Sequence, residues 1–238
     1  GMMYGFIYDG TYKAEDFDDK GNLVSGVPSF KGNAMQPGDM KYRDMNGDGV
    51  VNNYDRAAIG NPRTPEIQFG IPLGLSYKGF DFSMLWQGSA LCSVQLSGPA
   101  VWDFPLYDQS RTGKVRKMHL NRWTPETAAT ATYPALHYGI HNNNKQQYSS
   151  LFLYDASYIR LKNVEIGYTL PKAWTSKAGI QSVRIYAQGQ NLLTFDRLGD
   201  VDMDPEIKNG DGSWFPVQRV VNLGINMTCL LYTSDAAD

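Results

Sequence analysis

The chain has 238 residues, 22 basic and 24 acidic side chains for a formal net charge of −2, and only 19% charged residues. This balance excludes a polycationic nucleic-acid binder, so no nucleic-acid partner is expected, and a hydrophobic content of 42% excludes wholesale disorder. With 15 Tyr, 10 Phe and 24 Gly, the composition fits an all-β protein, either secreted or set in an outer membrane.

The first residues, Gly1-Met2-Met3-Tyr4-Gly5, carry neither a charged n-region nor an apolar h-region, so no signal peptide is expected there. The two cysteines, Cys92 and Cys229, make neither a disulfide framework nor a zinc pattern. Residues 1–38 are Gly-rich and polar after a short Tyr4–Tyr8 segment. Glu15, Asp16, Asp18 and Asp19 gather before a Gly21-Asn22 turn. This predicts a strand end and a long exposed loop.

The sharpest local pattern follows. Asp44, Asn46 and Asp48 stand at positions 1, 3 and 5 of a D-x-[DN]-x-[DN]-G loop, with Gly49 at the turn position. Val50 would offer its carbonyl, Asn52 would act through water, and Asp55 would close the site. Hard oxygen donors at this spacing suit Ca²⁺, whose role would be to stiffen a loop. Two features depart from an EF-hand: the last position is Asp and not Glu, and residues 38–43 read as extended and not as a helix. An Asx-turn loop without metal is the competing reading.

Alternation dominates what comes next. Ile67, Phe69, Ile71, Leu73, Leu75 and Tyr77 share one parity, with Gln68, Gly70, Pro72, Gly74 and Ser76 between them. Lys78-Gly79 is a tight turn, and Phe80, Phe82, Met84 and Trp86 continue the apolar face, with Leu85 as an exception. The two runs predict a hairpin with one apolar and one polar face. Pro72 has no N–H and argues against a fully paired central strand at that point. The uncharged stretch 82–102 contains Gln87, Gln95, Pro99 and several Ser and Gly, so it reads as a strand plus a polar loop and not as a membrane helix.

Residues 88–150 are rich in Asn, Gln, Pro and aromatics, which predicts functional loops. Trp102 and Trp123 there, and Trp214 further on, would stack on substrate or anchor loops. The three histidines build no site. Three more strands follow, around Val164–Tyr168, Val183–Ala187 and Val221–Met227, with a parity change that places a bulge near Lys162-Asn163. Asp202, Asp204 and Glu206 could be read as glycosidase carboxylates, but a solvated loop beside Pro205 is the simpler reading. A soluble sandwich hides the apolar faces of such strands, whereas a membrane barrel shows them to lipid; the pattern by itself leaves both open.

An ordered set of segments runs through the chain: PGDMKYRDMNGDGVVN (37–52), IGNP (59–62), FGIPLGLSYKGFDFSMLWQG (69–88), NRWTPE (121–126), DASYIRLKNVEIGYTLP (155–171), RIYAQGQNLLTF (184–195) and DPE (204–206). In this order and spacing they resemble the C-terminal part of a SusC/RagA-type TonB-dependent outer-membrane transporter. The resemblance implies the last strands and long extracellular loops of a large antiparallel transmembrane β-barrel, 22-stranded in the family and closed inside by an N-terminal plug. It also implies outer-membrane localisation, contact with membrane lipid, and import of large nutrients such as oligosaccharides or peptides. Energy would come through TonB, coupled by a region upstream, and a SusD-like surface lipoprotein would cap the barrel. No enzymatic role is implied.

On this reading residues 1–228 are barrel and loops, and 229–238 are a non-native tail, because such barrels end on an aromatic near that point. The other readings are a secreted soluble β-sandwich binding module with a dockerin-like calcium loop, and a glycoside hydrolase.

Overall fold

The computed structural model describes residues 1–30, 34–101, 116–136, 147–199, 201, 203–207, 210–212 and 215–229. In chain order its strands are β1 (Met3–Gly5), β2 (Tyr8–Thr11), β3 (Ser29–Phe30), β4 (Met40–Tyr42), β5 (Val50–Val51) and β6 (Ala57–Gly60). Then come β7 (Ile67–Tyr77), β8 (Phe80–Ala90), β9 (Ser93–Gln95), β10 (Leu153–Asp155), β11 (Tyr158–Thr169), β12 (Ile180–Asp196) and β13 (Val220–Cys229). A single turn of helix, α1 (Lys172–Thr175), lies between β11 and β12. The strands divide between two compact units.

The first unit comprises Gly1–Glu66, Leu91–Ala156 and Leu198–Phe215. It holds four two-stranded sheets, pairing β1 with β6, β2 with β4, β3 with β5 and β9 with β10. Pairs this short have little stability of their own. The unit depends instead on an aromatic core of Phe6, Tyr42, Tyr133 and Phe152 with Met40, Val51, Leu96 and Val101. Phe6 stacks on Tyr42 with ring centroids 5.1 Å apart and meets Phe30 edge-on at 5.4 Å. Burying one such ring contributes about 1.5–3 kcal/mol.

The sequence reading of residues 1–38 as an exposed loop needs correction, since Phe6 and Tyr12 are both 1% exposed. The Tyr12 hydroxyl donates to the Pro28 carbonyl at 2.7 Å, and the Phe6 amide donates to Tyr148 at 2.8 Å. Polar composition hid a segment that is tied down through its backbone. The acidic cluster does turn a corner: Asp18 Oδ1 accepts the Lys20 and Asn22 amides at 2.9 and 2.8 Å.

The second unit comprises Ile67–Ala90, Ser157–Arg197 and the segment from Pro216 onward. Its strands form one antiparallel sheet in the order β13-β12-β11-β8-β7. Lys78 and Gly79 both have positive φ, 47° and 86°, so the β7–β8 turn is the I′ type whose twist suits a two-residue hairpin. Tyr77 and Phe80 close that turn as a hydrogen-bonded pair. Alternation then makes Pro72↔Leu85 a non-hydrogen-bonded pair, so the missing N–H of Pro72 points away from β8. Pro72 therefore sits in a regular strand without breaking its only ladder among the described residues. Leu85, the exception on the polar face, lies beside Gly70, where an added Cβ would be 3.7 Å from its Cδ1.

The expected bulge is present. β11 shifts register between Leu161 and Asn163 against both β8 and β12, leaving Lys162 as the irregular residue. Across β12 the left-handed Asn191 (φ 52°) absorbs the extra length. The last strand runs one residue further at its start and two at its end than the alternation of Val221–Met227 suggested, and Cys229 still pairs with Ile180. Residues 230–238 lie outside the described residues.

Register carries the face assignment across all five strands. Leu73 opposes Met84, Met84 opposes Val164, Val164 opposes Gly189, and Gly189 opposes Val221. Opposed residues share a face, so Leu75, Phe82, Ile166, Ala187 and Leu223 form the next row. The result is a continuous apolar face, and much of it is open: Leu75 is 73% exposed and Leu223 83%. Among the described residues of this unit no second sheet covers it, so they do not form a sandwich. The tight turn and the α1 connection (170–179) leave from one end of the sheet. The connections 91–157 and 197–219 leave from the other.

Candidate functional site

The opposite face of the sheet is polar, built from Gln68, Ser76, Ser83, Gln87, Glu165, Gln188, Asn222 and Asn226 with interspersed glycines. Near its short-turn end Arg184 of β12 reaches across β11 to β8. Its Nε donates to Asp81 Oδ2 at 2.9 Å and its Nη2 to Glu165 Oε1 at 2.6 Å. A second bond from Nη2 to Asp81 Oδ1 makes the Asp81 contact bidentate. Gly167 lies between the partners, and a Cβ there would stand 2.6 Å from the guanidinium carbon. Tyr186 covers Gly224 in the same way. Alternation along the sequence puts Arg184, Glu165 and Asp81 on polar faces but does not join them. Opposite charges of matching parity on neighbouring strands were the signal available.

The calcium-type loop in the first unit is an ordered knot of Asx turns. Asp44 Oδ1 accepts the Gly47 amide at 2.7 Å and its Oδ2 the Gly49 amide at 2.8 Å. Asn46 Oδ1 accepts from Asp48, and Asp48 Oδ1 from Val50, at 2.9 and 2.8 Å. Asp55 is fully buried: its Oδ1 accepts the Met45 amide at 2.9 Å and its Oδ2 the Asn52 amide at 2.8 Å. Asn52 turns its Nδ2 to the Val50 carbonyl at 2.9 Å. The bond from the Gly49 amide, chiefly, holds the Asp44 carboxyl below the ordinary carboxylate range. Asp55 Oδ1 also accepts the Asn46 amide at 3.4 Å, so it is doubly engaged, while the donor chemistry of the loop is that of a hard cation site. Among the described residues, however, no three Asp, Glu, His or Cys side chains gather as a metal cluster. Beside the loop a groove of about 600 Å³ is lined by Asp9, Lys41, Arg43 and Asp44 together with residues 24–28. Its mixed charges suit polar rather than apolar occupants.

Of the three candidate tryptophans, Trp102 and Trp214 lie outside the described residues, as do Asp202, His137 and His141. Trp123 is half-buried, with its indole against Gly38 and Ala135. Its amide donates to the Tyr133 carbonyl at 2.7 Å. Asp204 is buried and accepts the Glu206 amide at 2.9 Å, as a turn residue does.

Sequence reasoning passed over His119, which is 2% exposed. Its Nδ1 accepts the Arg116 amide at 3.0 Å, which places the proton on Nε2, and Nε2 donates to the Val101 carbonyl at 3.0 Å. The Tyr133 hydroxyl donates to the same carbonyl. A lone histidine among loop residues gives no signal of this. Burial, chiefly, pushes the His119 imidazole below its ordinary value. Between that lowered value and about 6.5 the unfolded chain binds more protons, so stability is complete above about 6.5 and is lost as pH falls through the folded value. Protection factors over 117–121, the intrinsic exchange rate divided by the observed rate at each pH, should therefore fall on acidification below pH 6.5, and His119→Gln, which keeps a donor to Val101, should flatten that dependence. An unchanged profile in His119→Gln would refute the assignment.

No protein-family model matches the chain. The TonB-dependent receptor P3 of Formosa agariphila is 30% identical to it over 240 residues, covering 95% of this chain and 22% of the receptor. The TonB-dependent receptor SusC of Bacteroides thetaiotaomicron is 25% identical over 195 residues, covering 81% of this chain and 18% of SusC. Among solved structures, the RagAB peptide transporter superposes with a TM-score of 0.62 at 21% identity, over 95% of this chain and 22% of that one. The RagAB importer in its closed-closed state gives 0.62 at 22% identity, over 95% of this chain and 23% of that one. The chain thus spans about a fifth of the length of these relatives. A sheet with one open apolar face and one polar face, the shared sequence with P3 and SusC, and the shared fold with RagAB converge: over most of its length the chain is similar to TonB-dependent receptors such as P3 and SusC, and it matches about a fifth of such a receptor.

Proposed function

We propose that the chain forms part of the wall and loops of an outer-membrane transporter that imports large nutrients, oligosaccharides or peptides, with energy passed on by TonB. The carrying observation is the two-faced sheet. Its apolar face is open over five strands, and its polar face is laced by an Arg184 network such as a water-filled or plugged lumen permits. Strands of 10 to 17 residues are long enough to cross a bilayer at a tilt. Tyr77, Phe80 and Tyr168 fall at one end of the face and Phe69 and Phe195 towards the other, as interfacial belts would. In barrels of this kind long loops face outward and short turns face the periplasm. The long connections would then meet cargo and a SusD-like lipoprotein, with Trp102, Trp123 and Trp214 as stacking candidates.

Disruption of the full gene in its host tests this. Loss of growth on one oligosaccharide or peptide source, reproduced by loss of TonB, is expected. Unimpaired growth on every such source would contradict it.

Calcium is a separate part of this proposal. Asp44, Asn46, Asp48 and the Val50 carbonyl would hold the ion, Asn52 would act through water, and Asp55 would close the site after leaving its amide partners. The ion would supply stiffness and no chemistry. Asp44→Ala should speed proteolytic nicking within 44–55 in either case, because it removes two amide partners. Protection of that segment by Ca²⁺ but not by Mg²⁺ is the specific outcome, and equal nicking with and without Ca²⁺ would sink it.

A further inference from the structure

The short-turn end of the five-stranded sheet has a chemistry of its own. The β7–β8 turn carries Lys78, and the connection between β11 and β12 carries Lys172 and Lys177, all exposed. The two connections are neighbours, since the Thr169 amide donates to the Gly79 carbonyl at 2.7 Å. Neither contains an acidic residue, from Tyr77 to Phe80 or from Thr169 to Gln181. Among the described residues Asp81, the carboxylate that follows the β7–β8 turn, is on the polar face and is held by Arg184. Aromatics stand among the lysines: Tyr77 is 70% exposed and Trp174 on α1 is 66% exposed. The Lys78 ammonium lies 5.2 Å from the centroid of the Tyr77 ring, which directs it along the rim of the apolar face.

The geometry points to a binding site for anionic phospholipid headgroups at this rim, formed by Lys78, Lys172, Lys177, Tyr77 and Trp174. Acyl chains would run along Leu75, Phe80 and Ile166, which continue the same face. The phosphate would sit among the ammonium groups, and the rings would lie at the headgroup level where amphipathic aromatics are favoured. The site rests on the reading of the sheet as a membrane wall. It adds a lipid class and a leaflet, namely the one met by the short turns.

The full receptor would be reconstituted in nanodiscs of mixed phosphatidylcholine and phosphatidylglycerol, and the lipids it retains counted by native mass spectrometry. Preferential retention of phosphatidylglycerol is expected, weakened by about fivefold for each lysine replaced by Gln and by high salt. Lys13→Gln, in the first unit, should leave it unchanged. Equal retention in wild type and in the Lys78→Gln, Lys172→Gln, Lys177→Gln triple variant would overturn the site. A label at Leu75 separates the two failures. If doxyl-lipids quench it while the triple variant retains phosphatidylglycerol normally, the wall stands and the headgroup site falls. If they do not quench it, the wall falls and the headgroup site with it.

Discussion

Leu73→Arg in the full receptor should reduce the folded, membrane-inserted form by about 2–4 kcal/mol, the cost of a guanidinium on the lipid side near mid-depth of a barrel wall. Leu73 lies in the middle of β7 and in the row Met84, Val164, Gly189 and Val221, so the charge has no short path to either interface. None of the residues in that row offers it a partner. Ser83→Arg, one row away on the other face, gives the contrast. Ser83 opposes Gly74 and Glu165, is exposed, and would place its charge beside a carboxylate. That substitution should cost less than about 1 kcal/mol. The fraction of heat-modifiable receptor extracted from outer membranes reads both. Equal losses for the two arginines would mean that the faces are not differently solvated.

Gly38→Ala should unfold the first unit locally, at a cost of about 2–6 kcal/mol. Gly38 has φ +89°, a region that costs a side chain roughly 1–3 kcal/mol. A Cβ there would also stand 2.7 Å from both the Ala135 methyl and Cδ2 of Trp123, and overpacking of that kind adds roughly 1–3 kcal/mol. The backbone has no freedom to yield: the Gly38 amide donates to Tyr12 at 2.7 Å and its carbonyl accepts from Ala135 at 2.9 Å. Gly10→Ala isolates the two terms, because Gly10 has φ +96° with nothing within 4 Å of its would-be Cβ. Faster trypsin cleavage in Gly38→Ala than in Gly10→Ala is expected. Equal rates would show that Trp123 does not rest on Gly38.

Most of the sheet was legible because side-chain parity is a local property. Ile67 to Tyr77 announce β7 by alternation, Lys78-Gly79 announces the turn, and the parity change at Lys162-Asn163 announces the bulge. Pro72 misled only in part: the sequence shows that an N–H is missing, while the register decides which edge lacks it. The first unit was hardly legible. Its strands are two to four residues long, too short for a period, and its core joins Phe6, Tyr42, Val101 and Phe152 from distant parts of the chain. The loop at Asp44 was found as a motif. Its bonding was not foreseen, because carboxylates that satisfy backbone amides and carboxylates that wait for an ion have the same spelling. The Arg184 network needed three strands in register before its charges could meet.

Nitroxide labels on the full receptor in bilayers test the two-faced wall most directly. Cysteines placed singly at Leu73 and Leu223 should be relaxed by oxygen dissolved in lipid and shielded from a water-soluble nickel chelate. Labels at Ser83 and Asn222 should respond to the chelate and little to oxygen. If all four respond alike to the chelate, the apolar face is covered by protein or open to water, and the sheet is not a membrane wall.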